Sequence, residues 1–157
     1  MRSLLRNVSS EGFWPLQGEA FITLFDQYVA FAVEDTSGIE YVERCVEYFN
    51  TLDSEIIDEI CLACIRYCND LLEEVGQEVK QFNTPRDVLS LVSPTTLIIP
   101  NEEIPGMAVA HFELECEWEP EHGMEWIIRD KRVLYVGGFN GSDPWGEYLE
   151  KSSYNHA

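Results

Sequence analysis

Basic residues are the scarce class in this sequence. Ten Lys and Arg stand against 29 Asp and Glu, which gives a formal net charge of -19. A net charge of about 2 to 8 in magnitude is enough to keep a small domain in solution, so this imbalance exceeds what solubility requires. Nucleic-acid backbones and anionic membrane surfaces are bound through basic faces, and we therefore expect neither as a partner.

Long apolar runs and targeting signals are also missing. No segment approaches the roughly 18 apolar residues of a membrane-spanning helix. Residues 1–10 contain Arg2 and Arg6 but no continuous apolar stretch followed by small residues, so we predict no signal peptide. The five cysteines are odd in number and indicate no secreted disulfide framework. These absences predict a cytoplasmic protein.

Recognisable catalytic motifs are absent too. The sequence has no Gly-x-Ser-x-Gly nucleophile elbow, no glycine-rich phosphate loop and no cysteine with a matching histidine signature. Cys61, Cys64 and Cys68 fall on the apolar stripe of a predicted helix, where buried thiols are common and the loops of zinc sites are not. We therefore predict that these thiols pack in the core, and we expect no cofactor and no enzymatic activity.

The composition itself predicts a globular domain. With 157 residues, 45% of them hydrophobic, the chain is long enough to bury a core and shows no linker that would divide it. We predict a single domain over residues 1–157. Because the termini are polar, fraying of about residues 1–12 and 147–157 is an open alternative.

The order of apolar patterns predicts an α+β fold. Strand-rich segments come first, two amphipathic helices follow, and further strands end the chain. We predict an antiparallel sheet, built from an N-terminal hairpin and a C-terminal three-strand meander, with a helical hairpin on one face and the other face open. The first predicted helix spans residues 37–50 and begins with a Ser37-x-x-Glu40 capping box. The second spans residues 54–79, and a short third helix is capped at Thr84-Pro85 and ended by Pro94. The predicted strands are 19–25, 28–33, 95–99, 108–118, 124–129 and 132–136.

Residues 112–119 show strict alternation of apolar and acidic side chains. Phe112, Leu114, Cys116 and Trp118 occupy the even positions, and the odd positions are all glutamate: Glu113, Glu115, Glu117 and Glu119. Successive side chains of a strand point to opposite faces, so this pattern predicts an apolar row in the core and a row of four carboxylates on the open face. Arg129 or Lys131 on a neighbouring strand would neutralise part of that row.

The acidic segment is open to other interpretations. His111, Glu113, Glu121 and His122 carry groups that bind divalent cations, although their spacing matches no established metal motif. A carboxylate pair such as Glu117 with Glu121, assisted by His122, is chemically suited to hydrolysis. The row of glutamates is equally typical of a solvated strand face that discourages aggregation. We predict no metal site and no catalytic residue among them.

The segment after the acidic row resembles a family of small acidic bacterial domains. That family carries a Trp-Asp/Glu-x-Glu-His-Gly hairpin, followed by a strand that ends in Val-Gly. The matching positions are Trp118, Glu119, Glu121, His122, Gly123, Val136 and Gly137. Members of this kind are grouped with the immunity proteins of polymorphic toxin systems, and the resemblance implies no catalytic role. Independently of the family, Gly123 suits a backbone position with positive φ, and His122 suits a hydrogen bond that closes the turn.

Charge, pattern and resemblance together favour a protein-binding function. We expect a non-enzymatic, immunity-type inhibitor that neutralises a basic toxin domain, with a nuclease as one candidate, because a negative field steers a cationic partner. The expected contact residues are Glu113, Glu115, Glu117 and Glu119, with Trp145 and Tyr148 as aromatic anchors. The alternatives are a metal-dependent or carboxylate hydrolase and a structural domain whose acidity only keeps it soluble.

Overall fold

A computed structural model describes residues 2–157. These residues form two α-helices, a seven-residue 3-10 helix and seven strands. The strands are β1 (Leu5–Ser9), β2 (Leu16–Ile22), β3 (Gln27–Val33), β4 (Val92–Ile99), β5 (Val109–Cys116), β6 (Met124–Arg129) and β7 (Arg132–Gly138). The helices are α1 (Ile39–Asn50), α2 (Ser54–Glu74) and the 3-10 helix Pro85–Leu91, with a further 3-10 turn at Thr23–Phe25.

All seven strands form one sheet in the order of the sequence. Every neighbouring pair is antiparallel except β3 and β4, which run parallel with Phe31 opposite Leu97. A parallel pair cannot be closed by a tight turn, and here both helices lie in the connection. The α+β class is confirmed, but the prediction of a purely antiparallel sheet is wrong and the predicted hairpin-plus-meander layout omits β1 and this parallel join.

The inner face of the sheet carries the main core. Side chains of β2 to β7 meet the buried faces of α1 and α2, and the largest of them is Trp126. Its ring lies 5.9 Å from that of Phe112 and is stacked on Phe25 at 6.0 Å, while Phe49 of α1 meets Phe112 at 4.7 Å. This aromatic cluster joins the helix layer to the centre of the sheet.

The helix ends differ from two of the predictions. Gly38, and not Ser37, is the N-cap of α1, and it makes no side-chain cap; the Ser37 hydroxyl donates instead to the Pro100 carbonyl, so the predicted capping box is wrong. Helix α2 ends at Glu74 and not at Val79. Gly76 adopts φ 75°, and the Gln77 amide closes onto the Leu72 carbonyl at 2.8 Å, as glycine-terminated helices do.

The segment before β4 follows the prediction at its start and departs from it at its end. The Thr84 amide donates to the Asp87 carboxylate at 3.1 Å, which confirms Thr84 as the cap of a short helix with Pro85 in its first turn. Pro94 does not precede the strand but lies within β4, where the register with β5 shifts between Pro94 and Thr96. Proline lacks the ladder N–H, so a bulge is where a strand tolerates it.

Both terminal segments are paired with the sheet. Residues 5–9 form the edge strand β1, whose register with β2 shifts near Asn7. At the opposite edge, Asn155 is buried against β7, where its side chain accepts from the Val136 amide and donates to the Leu134 carbonyl. The His156 amide then donates to the Val136 carbonyl at 2.8 Å. The tail therefore satisfies the free edge of β7.

Candidate partner-binding surface

Strand β5 separates apolar from acidic side chains as the alternation predicts. Phe112, Leu114 and Cys116 are buried in the inner core. On the outer face, Glu113 is half-buried opposite Thr96 of β4, and Glu115 is exposed opposite Ser93. The side of this face toward β4 presents small polar neighbours and no Lys or Arg opposite these two acids. Glu113 and Glu115 therefore form a compact acidic patch on the outer face.

The other two glutamates of the row leave the strand. Strand β5 ends at Cys116, so Glu117 and Glu119 lie in the following turn and not in one straight row with Glu113. Glu117 is exposed and lies 3.9 Å from the Lys80 ammonium. Glu119 contacts His122 Nδ1 at 3.2 Å, which closes the turn. Gly123 has φ 77°, so the predicted positive φ is confirmed.

A loop that we call the strap, residues 139–148, covers the outer face of β6 and β7. Arg129 fastens it, because its guanidinium donates to the carbonyls of Pro144 at 2.6 Å and Gly146 at 2.8 Å. The prediction that Arg129 neutralises part of the acidic row is therefore wrong. The prediction of an open outer face is wrong over β6 and β7. Toward β4, Ser93 and Glu115 are exposed on this face, whereas Ile98 is buried.

Under the strap lies a buried polar pair. His111 Nε2 and Glu125 Oε2 are 2.6 Å apart, and the two residues are 3% and 0% exposed. The Glu125 carboxylate also accepts from the backbone amides of Asn140 at 3.4 Å and Ser142 at 3.2 Å. A buried carboxylate is stable only when its oxygens accept hydrogen bonds, and here the strap amides provide some of them. His111 Nδ1 is buried with no hydrogen-bond partner among the described residues.

The two aromatic residues predicted as anchors make contacts within the chain. The Trp145 indole N–H donates to the Asn101 carbonyl at 2.8 Å, and its ring lies 5.7 Å from the Arg129 guanidinium. The Tyr148 hydroxyl donates to the Asp143 carbonyl at 2.7 Å. Burial, followed by the negative charge of Glu125, raises the pKa of Tyr148 to about 12. Both residues are half-buried.

The residues of the metal alternative do not converge. Glu121 and His122 are exposed in the β5–β6 turn, whereas His111 is buried beneath the strap. Within residues 2–157, no three side chains of His, Cys, Asp or Glu are grouped as metal ligands. All five cysteines are buried and free, which confirms core packing for the three on α2. Burial raises the pKa of Cys61 to about 11, so its reactive thiolate form is disfavoured.

A depression of about 680 Å³ lies where β3 and β4 end, beside the start of α1. Arg44 lines it and donates to both oxygens of Glu102, at 2.9 and 3.1 Å. These hydrogen bonds lower the pKa of Glu102. The acids Glu40 and Glu103 share the lining with neutral residues, namely Thr36, Ser37, Gly38, Ile39, Tyr41 and Asn101.

Acidic side chains without a basic partner dominate the surface. Five acids pair with Lys or Arg, namely Glu19, Asp26, Asp58, Glu102 and Glu117, so 24 of the 29 have no such pair in the part of the chain that is described. Neither long helix has a basic residue in its last turn. Acids there oppose the negative end of the helix dipole. The field of this protein is therefore negative on the helix layer as well as on the sheet.

Sequence reasoning missed Glu125 as a buried group. The run Met124-Glu125-Trp126-Ile127-Ile128 carries one acid among apolar residues, and alternation assigns that acid to the outer face. The placement on the outer face is right. What alternation cannot provide is the strap that buries this face, although an acid that shares a strand face with Ile127 is a usable signal.

The sequence model of one family, described as "Domain of unknown function (DUF6985)", matches residues 4–144. This match includes the whole sheet, both helices and the first part of the strap. Comparison with curated proteins and with solved structures gave no match. Among residues 2–157, no helix combines the length and the apolar character needed to span a membrane.

Proposed function

The chain belongs to the DUF6985 family, a domain of unknown function, and we propose that this member is a non-enzymatic domain that binds a basic protein. The single observation that carries the proposal is that 24 acids have no Lys or Arg partner within residues 2–157. Self-repulsion of that size weakens the folded state, and a cationic partner relieves it. Negative surfaces also accelerate encounter with basic proteins and disfavour acidic ones.

The contact surface in this proposal is the acidic patch of Glu113 and Glu115, extended by Glu117 and Glu119 in the adjoining turn. Glu115 is exposed and Glu113 is half-buried, while Glu117 and Glu119 contact Lys80 and His122 and would exchange these contacts for those of a partner. Trp145 and Tyr148 contribute ring surface only, because their polar atoms are already bonded within the chain.

In its most specific form, the proposal is an immunity-type inhibitor that acts in the cytoplasm on a basic toxin, for example a nuclease. The support is the resemblance of the Trp118 to Gly123 hairpin together with the net charge of -19. A nuclease binds polyanions through a basic face, and an acidic protein that covers this face blocks the substrate.

The test is coexpression with the protein encoded by the adjacent gene, followed by binding kinetics at increasing salt. We expect a complex whose association rate falls steeply with ionic strength. The double variant Glu113→Gln with Glu115→Gln should reduce that rate by roughly threefold to tenfold at low salt.

The matched control removes the same charge from the helix layer. Glu40 and Glu47 of α1 are exposed, so Glu40→Gln with Glu47→Gln changes the net charge equally. If the association rate falls more in this control than in the Glu113→Gln and Glu115→Gln variant, the contact lies on the helices. An association rate that does not change with salt, or no complex at all, would refute the proposal.

A further inference from the structure

The strap contains the one asparagine of this chain that is followed by glycine, Asn140. Both Asn140 and Gly141 are exposed, and Gly141 has φ 70° with open space around the position of a Cβ. A glycine on the C-terminal side leaves its amide nitrogen free of side-chain shielding, so that nitrogen can approach the Asn140 side-chain carbonyl carbon. Such an intramolecular approach raises the effective concentration of the nucleophile by orders of magnitude.

A neighbouring hydroxyl prepares the Asn140 amide for attack. The Ser142 hydroxyl donates a hydrogen bond to Asn140 Oδ1. A donor on this oxygen withdraws electrons from the carbonyl carbon and stabilises the negative charge that develops on the oxygen during attack. Asn101 Oδ1 also accepts hydrogen bonds, from the Thr36 amide and hydroxyl, but Glu102 and not glycine follows it. Asn155 is buried against β7.

We propose that Asn140 is a site of spontaneous modification, at which conversion to aspartate and isoaspartate releases the strap from the sheet. The Gly141 amide nitrogen loses its proton to solvent base and forms a bond to Asn140 Cγ. The Cγ–Nδ2 bond breaks, and the nitrogen leaves as ammonia after taking a proton from water. Water then adds to either carbonyl of the cyclic imide, and the ring opens to aspartate or isoaspartate without any change of oxidation state.

The position of Asn140 explains why the product unfastens the strap. The backbone amides of Asn140 and Ser142 both donate to the buried Glu125 carboxylate. Isoaspartate carries the main chain through the former side chain, which adds one backbone atom between these two donors. They can then no longer both reach Glu125. Either product also brings a new carboxylate close to that buried carboxylate, and like charges at short range repel.

The first measurement follows the chemistry. Purified protein is held at mildly alkaline pH and body temperature, and its peptides are assigned by mass and by chromatographic separation of aspartate from isoaspartate. We expect the peptide with Asn140 to convert before those of the other asparagines. Ser142→Ala should slow this conversion by roughly threefold to tenfold, because an exposed donor assists less than one in a buried oxyanion hole. Asn140→Gln keeps the amide but requires a larger ring, and it should not convert.

The second measurement follows the strap. Hydrogen exchange should become faster at the amides of Asn140 and Ser142 in the aged protein and in Asn140→Asp, while the amide of Trp126 in the core stays protected. Aged Asn140→Gln protein should keep the exchange pattern of fresh protein. Earlier conversion of another asparagine, an unchanged rate in Ser142→Ala, or unaltered strap protection after conversion would overturn the proposal.

Discussion

The two faces of the sheet are buried in different ways. The inner face is covered by helices through many apolar contacts, with Trp126 and Phe112 at their centre. On the outer face, β6 and β7 are covered by a strap that a few directed polar contacts from Glu125 and Arg129 hold in place. Apolar burial is non-directional and scales with area, whereas each polar contact depends on one geometry. We therefore expect the inner face to determine global stability and the outer face to open locally.

The largest effect is expected from Trp126→Ala on the inner face. Loss of this buried ring should lower the free energy of unfolding by about 3 to 5 kcal/mol, since a large cavity is left in the core. Urea unfolding measures the change. Phe13→Ala is the control, because Phe13 is 89% exposed, and it should stay within about 0.5 kcal/mol of the parent. Comparable losses in both variants would contradict the assignment of the core.

The next effect concerns the buried pair. Glu125→Gln keeps the shape of the side chain but replaces one acceptor oxygen by a donor that faces the amides of the strap. We expect a loss of about 1 to 3 kcal/mol in urea unfolding, the range for a buried polar group left without its partner. Glu115→Gln makes the same chemical change at an exposed position of the same face and should be nearly neutral. Equal stability of the two variants would show that Glu125 is not buried as described.

A smaller and local effect is expected at Arg129. Arg129→Met retains much of the stem but removes the donors to Pro144 and Gly146. Opening of the strap should become easier by about 1 to 2 kcal/mol, seen as faster hydrogen exchange over 139–148, while exchange in β6 changes little. Arg132→Met at the exposed start of β7 should leave the strap as it is. Faster exchange throughout the sheet after Arg129→Met would mean that the two faces are not independent.

The smallest effect is a pH dependence at the tail. Burial lowers the pKa of His156, and the hydrogen bond that its ring donates to the Asp70 carboxylate only partly opposes this. The folded protein therefore binds a proton at His156 less readily than the unfolded chain does. The stability associated with the neutral ring is present above a pH of about 6.5, the ordinary histidine value, and declines as the pH falls below it.

His156→Gln provides the comparison that isolates this contribution. The many acids of the chain give both proteins their own pH dependence, so the difference between their unfolding free energies is the informative quantity. Between pH 8 and pH 5, a range of about three units around the histidine value, the parent should lose slightly more stability than the variant. A difference of the opposite sign would contradict the direction of the pKa shift.

Local sequence rules recover most elements of this fold. Alternation placed Phe112 and Glu113 on opposite faces, and Gly123 was assigned its positive φ. Periodicity located both helices and the burial of the three cysteines of α2, Cys61, Cys64 and Cys68. Helix ends were less accurate, since Gly76 ends α2 within a run that still reads as helical. These rules succeed where neighbours in the sequence decide the structure.

The features that the sequence did not reveal depend on contacts between distant segments. The parallel pairing of β3 with β4, the burial of Glu125 under residues 140 and 142, and the seating of Asn155 against β7 each join parts of the chain that no local pattern relates. The acidic patch was found in part, because alternation identified Glu113 and Glu115. The predicted row was too long, because nothing in the alternation shows that β5 ends at Cys116.

The parallel pairing of β3 and β4 has a consequence for how the chain folds. Residues 34–91 separate the two strands, so the pair forms only after a long loop has closed. Until then, the hydrogen-bonding edge of β3 has no strand beside it, and the first three strands cannot complete the sheet. Folding dominated by distant pairings is slow, on the order of milliseconds to seconds. During synthesis, β3 therefore has no partner on this edge until β4 has been made. We expect that in this interval the acids of the intervening helices keep neighbouring nascent chains apart by charge repulsion.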